Sequence, residues 1–276
     1  HSTRSRTDQE MTEVEALVTA ARQYCLTNHA YWVQQYTERR TGNDFPYTYT
    51  KSDYDLFPRY NAIDAIRQGV ELFVGRTEGT IDEVKKLLVE VAVANQTPFT
   101  KGENNTIEAK AIDDERRKFI GYVMNLSNED LLVVEPLPFR RRLSEQDRQS
   151  IRGRLAKDWS FEGDYWVPLK TIDRPSVFLA SESLTEEDRV ALKEFVVGLA
   201  NGRLFELTEA QIDYEVDPSE FDDEVYETVV CDRSDTWIVY GSHEGTIAFG
   251  GTELIGFVER RFSDRRSLMN QWPVQH

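Results

Sequence analysis

Cysteine and histidine are scarce in this chain, and their scarcity removes several kinds of chemistry. The two cysteines, Cys25 and Cys231, are too few for a disulfide framework and suit a reducing, cytoplasmic setting. Of the four histidines, His1 and His276 are terminal, which leaves His29 and His243. Cys25 and His29 stand four apart and share a helix face, but a structural zinc site needs about four ligands. Only Cys231 and His243 are available to complete such a set, so a core cysteine and an interfacial histidine are the preferred reading and no metal is assigned. No apolar run approaches the roughly 18 residues of a membrane span. There is no glycine-rich phosphate loop, no nucleophile elbow and no His-Glu-x-x-His. Ser242, His243 and Glu244 are the residue types of a catalytic triad, but neighbours in a turn do not point at one another. No catalytic residue and no cofactor is assigned.

Acid, by contrast, is abundant. The chain has 49 Asp and Glu against 33 Lys and Arg, a formal net charge of −16. Such a balance bears on solubility and partners rather than on fold. It disfavours direct nucleic-acid binding through a broad basic surface and favours a partner that carries one. The acid is also concentrated, because residues 206–227 hold ten acids and no Lys or Arg. Within them Asp217, Glu220, Asp222, Asp223 and Glu224 offer oxygens for Ca²⁺ but lack the glycine and ligand spacing of an EF-hand loop. At the other extreme Arg140, Arg141 and Arg142 form the densest basic run. They are the candidate anion-binding residues, with internal pairing to the acidic excess as the plainer alternative.

Hydrophobic residues make up 39% of the 276 positions, which is enough for a real core in one large or two ordinary domains. The stretch 203–249 reads as five short strands, at 203–207, 211–216, 225–231, 236–240 and 246–249. Ile212, Tyr214 and Val216 alternate with Asp213, Glu215 and Asp217, which predicts one buried face and one wet face. Residues 237–240 are nearly all apolar and suit a central strand. Residues 241–245 supply turn types, so a hairpin with a loop of about five residues is expected there. Residues 254–258 fit a strand or a short helix equally well. The hairpin 237–245 resembles that of small bacterial immunity-type proteins; the likeness covers only the hairpin and gives no residue a role.

Before residue 203 the chain is mostly helical. The polar residues 1–10 precede Met11 and are expected to be an appended remnant outside the fold. Helices are predicted at 12–40, 58–75, 81–95 and 107–126. Pro58 is placed in the first turn of its helix, where a missing N–H costs nothing, and Thr80 with Glu83 forms a capping box. The aromatic-rich residues 41–60 read as a packed loop. Glu108-Ala109-Lys110 matches a nuclease pattern only over three residues and on a helix instead of a strand. Residues 131–134 suggest a short strand near a boundary at 128/129. Two more helices open alike, at Leu143-Ser144-Glu145 and Leu184-Thr185-Glu186, because both carry good N-caps with acids in the first turn. Strands are predicted at 165–167 and 176–179, and residues 263–276 are expected to be a loosely docked tail.

The fold class is therefore α+β, with a helical bundle-like region at 11–128 and an antiparallel sheet with two flanking helices at 129–262. The leading functional expectation is a non-enzymatic, acidic, cytoplasmic interaction module that binds a protein with a basic surface. Asp213, Glu215, Asp217, Glu220, Asp222, Asp223, Glu224, His243 and Glu244 are its candidate partner-binding residues. Two rivals stand beside it. One is a divalent-metal hydrolase using clustered carboxylates such as Asp222 and Asp223. The other is a structural subunit of a larger assembly, which would leave an apolar patch exposed on the helical half.

Overall fold

Local chemistry at the helix starts sets the first half of the fold. The computed structural model describes residues 11–40, 46–101, 105–161, 166, 174–210, 212–222 and 225–271. The chain divides into two compact units, His1–Leu137 and Pro138–His276. In the first, α1 (Glu13–Arg39), α2 (Lys51–Val70), α3 (Ile81–Ala94) and α5 (Asn128–Leu132) each begin at a complete capping box. The pairs are Thr12/Glu15, Thr50/Asp53, Thr80/Glu83 and Ser127/Asp130, and each satisfies two free backbone N–H groups reciprocally. The fourth long helix, α4 (Thr106–Asn125), is capped by the Asn105 side chain.

Two of these caps overturn expectations. The Thr50/Asp53 box starts α2 at Lys51, so Pro58 stands inside the helix and Tyr54, Phe57 and Tyr60 are helical and not part of a loop. Proline there removes a backbone bond, and burial of Leu56, Ile63 and Ile66 offsets that loss. Residues 41–45 of the predicted loop lie outside the described residues. The Ser127/Asp130 box likewise makes 128–132 helical where a strand was expected, burying Leu131 and leaving Leu132 exposed. The core of this unit joins Leu17, Ala21 and Cys25 of α1 to Ile66 of α2, Leu88 of α3 and Phe119 of α4. Two buried ion pairs, Arg22 with Glu71 and Arg59 with Glu115, cross it at 3.1 and 2.6 Å. Trp32 lies under the cations of Arg59 and Lys118, both of which pair with Glu115.

The second unit is built on a sheet with seven strands among the described residues. Its strands are β1 (Arg140–Arg142), β2 (Ser176–Ala180), β3 (Leu204–Thr208), β4 (Tyr214–Val216), β5 (Thr228–Asp232), β6 (Ile238–Gly241) and β7 (Thr246–Gly250). Their spatial order is β1-β4-β3-β5-β6-β7-β2, and every pairing is antiparallel. The apolar strand β6 is an interior strand, between β5 and β7, and its hairpin to β7 turns through residues 242–245.

Both faces of the sheet are covered. On one, Leu204, Val216, Val230, Val239 and Phe249 pack against α7 (Glu186–Leu199) and α8 (Thr252–Arg261). On the other, Phe178, Phe205, Leu207, Val229 and Ile238 pack against α6 (Glu145–Trp159). Among the described residues three helices therefore flank the sheet where two were expected, because residues 252–261 form α8. Gly251 makes that change of direction, with φ of +103° and the Thr236 carbonyl oxygen 2.4 Å from where a Cβ would stand.

The alternation in β4 is as expected, but its second face is not wet. Asp213 and Glu215 are only 2% and 4% exposed, because Arg152 of α6 pairs with Asp213 while Arg141 and Arg233 pair with Glu215. Of the predicted tail at 263–276, residues 263–271 are described and 272–276 lie outside the described residues. The Asn270 backbone N–H donates to the Phe178 carbonyl at 2.8 Å, and the Phe178 N–H donates to Asn270 Oδ1 at 3.0 Å, so Asn270 docks on the β2 edge. Of the predicted strand at 165–167 only Trp166 is described; it is buried and donates Nε1–H to the Trp159 carbonyl. Among the described residues no helix is long and apolar enough to cross a membrane.

Candidate functional site

Asp147, Ser150, Ile151 and Arg154 recur at helical spacing and form one stripe along α6. Opposite them the sheet presents Arg141 from β1, Phe205 from β3, and Arg233 and Asp235 from the turn after β5. Between stripe and sheet, with Leu143, lies a cleft of about 470 Å³. Small-molecule sites commonly run from about 300 to 1,000 Å³. Three guanidinium groups thus reach one cavity from three separate elements, above a floor of Leu143, Ile151 and Phe205.

The strand geometry of β1 explains why only one of the three consecutive arginines arrives there. Successive side chains on a strand point to opposite faces. Arg141 is opposite Glu215 and bonds it through Nε and Nη2, at 3.0 and 2.7 Å. Arg140 goes to the other face, pairing with Glu206 at 2.7 Å and lying over the Tyr214 ring. Arg142 is half-buried at the register of Tyr214, on the Arg140 side. The basic run is therefore two faces of an edge strand and not a single patch.

Electrostatics in the cleft are arranged around two carboxylates. Glu215 bridges Arg141 and Arg233, accepting at 2.7 and 2.9 Å. Asp235 accepts from Arg154 Nε through Oδ2 at 2.6 Å, while its Oδ1 is buried without a hydrogen-bond partner among the described residues. An unpaired buried acceptor is costly. Asp235 also holds φ of +54°, a conformation that non-glycine residues rarely take. Its carbonyl receives Trp159 Nε1–H and Arg174, so the conformation is fixed from outside. Among the described residues Arg154 bonds only through Nε and Arg233 only through Nη2. Each guanidinium carries five N–H donors, so most of their capacity is unspent among the described residues. Next to the cleft, Arg152 holds Asp213 with two bonds of 2.7 and 2.9 Å and reaches the Thr208 carbonyl, which pins α6 to the sheet.

The predicted partner-binding acids are dispersed. Asp213 and Glu215 are buried in the pairs just described. Asp217 pairs with Arg203 and caps the short helical turn at Pro218–Glu220. The burial of Asp217 acts to raise its pKa, but bonds from Ser219 and Arg203 outweigh it and hold the carboxyl below the ordinary range. Glu220, Asp222, His243 and Glu244 are exposed, and Asp223 and Glu224 lie outside the described residues. His243 lies beside two glutamates at the ends of neighbouring strands. Its Nδ1 stands 3.5 Å from Glu227 and 4.0 Å from Glu209, whereas Ser242 bonds Thr246 and the Glu244 N–H. Cys25 and Cys231 are buried free thiols, one in each unit, and His29 packs edge-on to Tyr60 with burial lowering its pKa.

Arg154, Arg233 and Asp235 escaped the sequence reading. The signal for Arg154 was present in the period of α6, where polar Asp147, Ser150 and Arg154 share a face with Ile151. Arg233 and Asp235 follow a strand with no local mark of their role. Compared with known protein families, curated proteins and solved structures, the chain matches none.

Proposed function

We propose that the second unit is a binding domain whose cleft takes a small ligand bearing a carboxylate or phosphate group. The convergence of Arg141, Arg154 and Arg233 on one apolar-floored cavity carries this reading. Guanidinium forks suit planar or tetrahedral oxyanions, and charge-assisted bonds of this kind are the strong ones. Phe205, Leu143 and Ile151 provide the apolar contact that a ligand body needs. Thermal unfolding of the full chain in citrate, glutamate and adenosine monophosphate tests it. At least one of these raises the midpoint of the wild type saturably and does so less for Arg233→Gln. Failure of all three to shift the wild type, or equal shifts in the variant, counts against the cleft.

A second reading keeps the acidic interaction module, with a cytoplasmic protein of basic surface as the partner. Its specific support is the exposure of Glu220, Asp222 and Glu244, while the withdrawal of Asp213 and Glu215 into ion pairs reduces the surface available to it. Its attraction would weaken with salt. Recovery of a basic protein from a pull-down at low salt but not at high salt supports it; recovery unaffected by salt opposes it.

A further inference from the structure

We propose that Glu209, Glu227 and His243 form a binding site for a divalent transition-metal ion of the zinc class. The three residues come from neighbouring strands at one end of the sheet. Glu209 follows β3, Glu227 precedes β5, and His243 lies in the β6–β7 turn. The register sets Thr208 opposite Thr228 and Thr228 opposite Gly241, which brings all three together. The Glu209 N–H donates to the Glu227 carbonyl at 3.0 Å, so the two glutamates face each other as the next rung of the ladder. One ligand atom from each residue lies within 4.8 Å of the others.

The electrical contrast with four other acids of this stretch points to a cation. Glu206, Asp213, Glu215 and Asp217 are each answered by an arginine. Glu209 and Glu227 have no Lys or Arg paired with them among the described residues, although like charges placed opposite each other on a sheet destabilise it. What they share is the Nδ1 of His243, at 4.0 and 3.5 Å. With metal–ligand bonds of about 2.0–2.2 Å the edge of a tetrahedral site is roughly 3.4 Å. The present separations need only small side-chain adjustments to reach it.

The supporting residue is in place as well. Tyr240 donates its hydroxyl to Glu209 Oε1 at 2.9 Å, fixing the carboxylate in the way that outer partners orient metal ligands. A mixed nitrogen and carboxylate set suits zinc and its borderline neighbours better than calcium. Three protein ligands with His243 on the exposed side leave a coordination position for water or an incoming ligand. The site is separate from the arginine cleft in the residues it uses, so each proposal stands without the other.

The test is calorimetric titration of the full chain with zinc chloride, with circular dichroism to verify folding. The wild type is expected to bind a single equivalent that Glu209→Gln and His243→Ala each weaken by about tenfold or more. Tyr240→Phe, which keeps the ring in the core, weakens binding less. If His243 serves only as a protonated partner of the two glutamates, the wild type shows no saturable binding, and the proposal falls. It falls equally if folded Glu209→Gln, Glu227→Gln and His243→Ala bind zinc as tightly as the wild type does.

Discussion

Arg154 Nε donates to Asp235 Oδ2 at 2.6 Å, tying α6 to the turn after β5 at the wall of the arginine cleft. The same carboxylate leaves Oδ1 buried and without a hydrogen-bond partner among the described residues, and its residue holds φ of +54°. Pairing and backbone conformation make separate contributions at this position. Asp235→Gly loses the charge-assisted bond but relaxes the backbone, whereas Asp235→Val loses the bond and cannot hold the left-handed conformation. Urea unfolding is expected to show a loss of about 1–3 kcal/mol for the glycine variant and a larger loss for valine. Equal losses would show that the backbone conformation carries no weight.

Gly250 lies where Trp159 of α6 crosses the sheet. An added Cβ would stand 2.5 Å from Trp159 Cζ3 and 2.7 Å from Ile238 Cγ2. Neither neighbour is the far end of a flexible side chain, so one must shift. Gly250→Ala is expected to destabilise by about 1–3 kcal/mol and to alter the near-ultraviolet tryptophan dichroism. A variant with wild-type stability and spectrum would contradict this packing.

Asp188 offers a pH test. It is fully buried on α7, where burial acts to raise its pKa. Bonds from Arg265, the Thr185 N–H, Arg261 and the Thr185 hydroxyl together outweigh that effect and hold the carboxyl well below the usual range. A lowered folded-state pKa contributes stability above the unfolded value of about 3.9 and loses it as pH falls from there through the folded value. Removing one partner of a buried pair costs about 3–5 kcal/mol. Asp188→Ala should lose stability of that order at neutral pH. Its unfolding free energy should also change less than the wild type's below about pH 4, as followed by urea titration. A variant that keeps the wild-type acid dependence would show that Asp188 is not responsible for it.

Both thiols are shielded. Burial pushes the pKa of Cys25 and Cys231 up, and the thiolate is the reactive form. A disulfide-exchange reagent is expected to label neither cysteine in the native protein and both in denaturant. Rapid native labelling of either would mean that its unit opens readily.

The parts of this fold that depend on near neighbours were readable from the chain. Thr80 with Glu83 and Thr185 with its following acids announce helices because a cap is complete within four residues. The strands at 204–208, 214–216 and 238–241 announce themselves by alternation or by a continuous apolar run. Misreadings came where two local signals competed. Pro58 is a strong helix-start signal, yet the Thr50/Asp53 box upstream prevailed, and Leu131 lies in a helix because of Ser127 and Asp130. The site residues depend on contacts across the sheet. Arg141 finds Glu215 through the β1–β4 register, and His243 finds Glu209 and Glu227 through β3, β5 and the last turn. Nothing within a few residues of Asp213 or Glu215 signals that Arg152, Arg141 and Arg233 will pair with them, so their acids read as a wet face.

The arginine cleft is the centre of this account, and calorimetry tests it most directly. The full-length wild type and Arg154→Gln would be titrated with citrate, glutamate and adenosine monophosphate, and the zinc site would be kept out of the measurement by a metal-free buffer. Arg154→Gln can still bond Asp235, so folding is preserved while the unspent donors are removed. The account predicts saturable binding of at least one of these anions by the wild type, weakened about tenfold or more in the variant. Absence of saturable binding, or equal affinity in the two proteins, would contradict it.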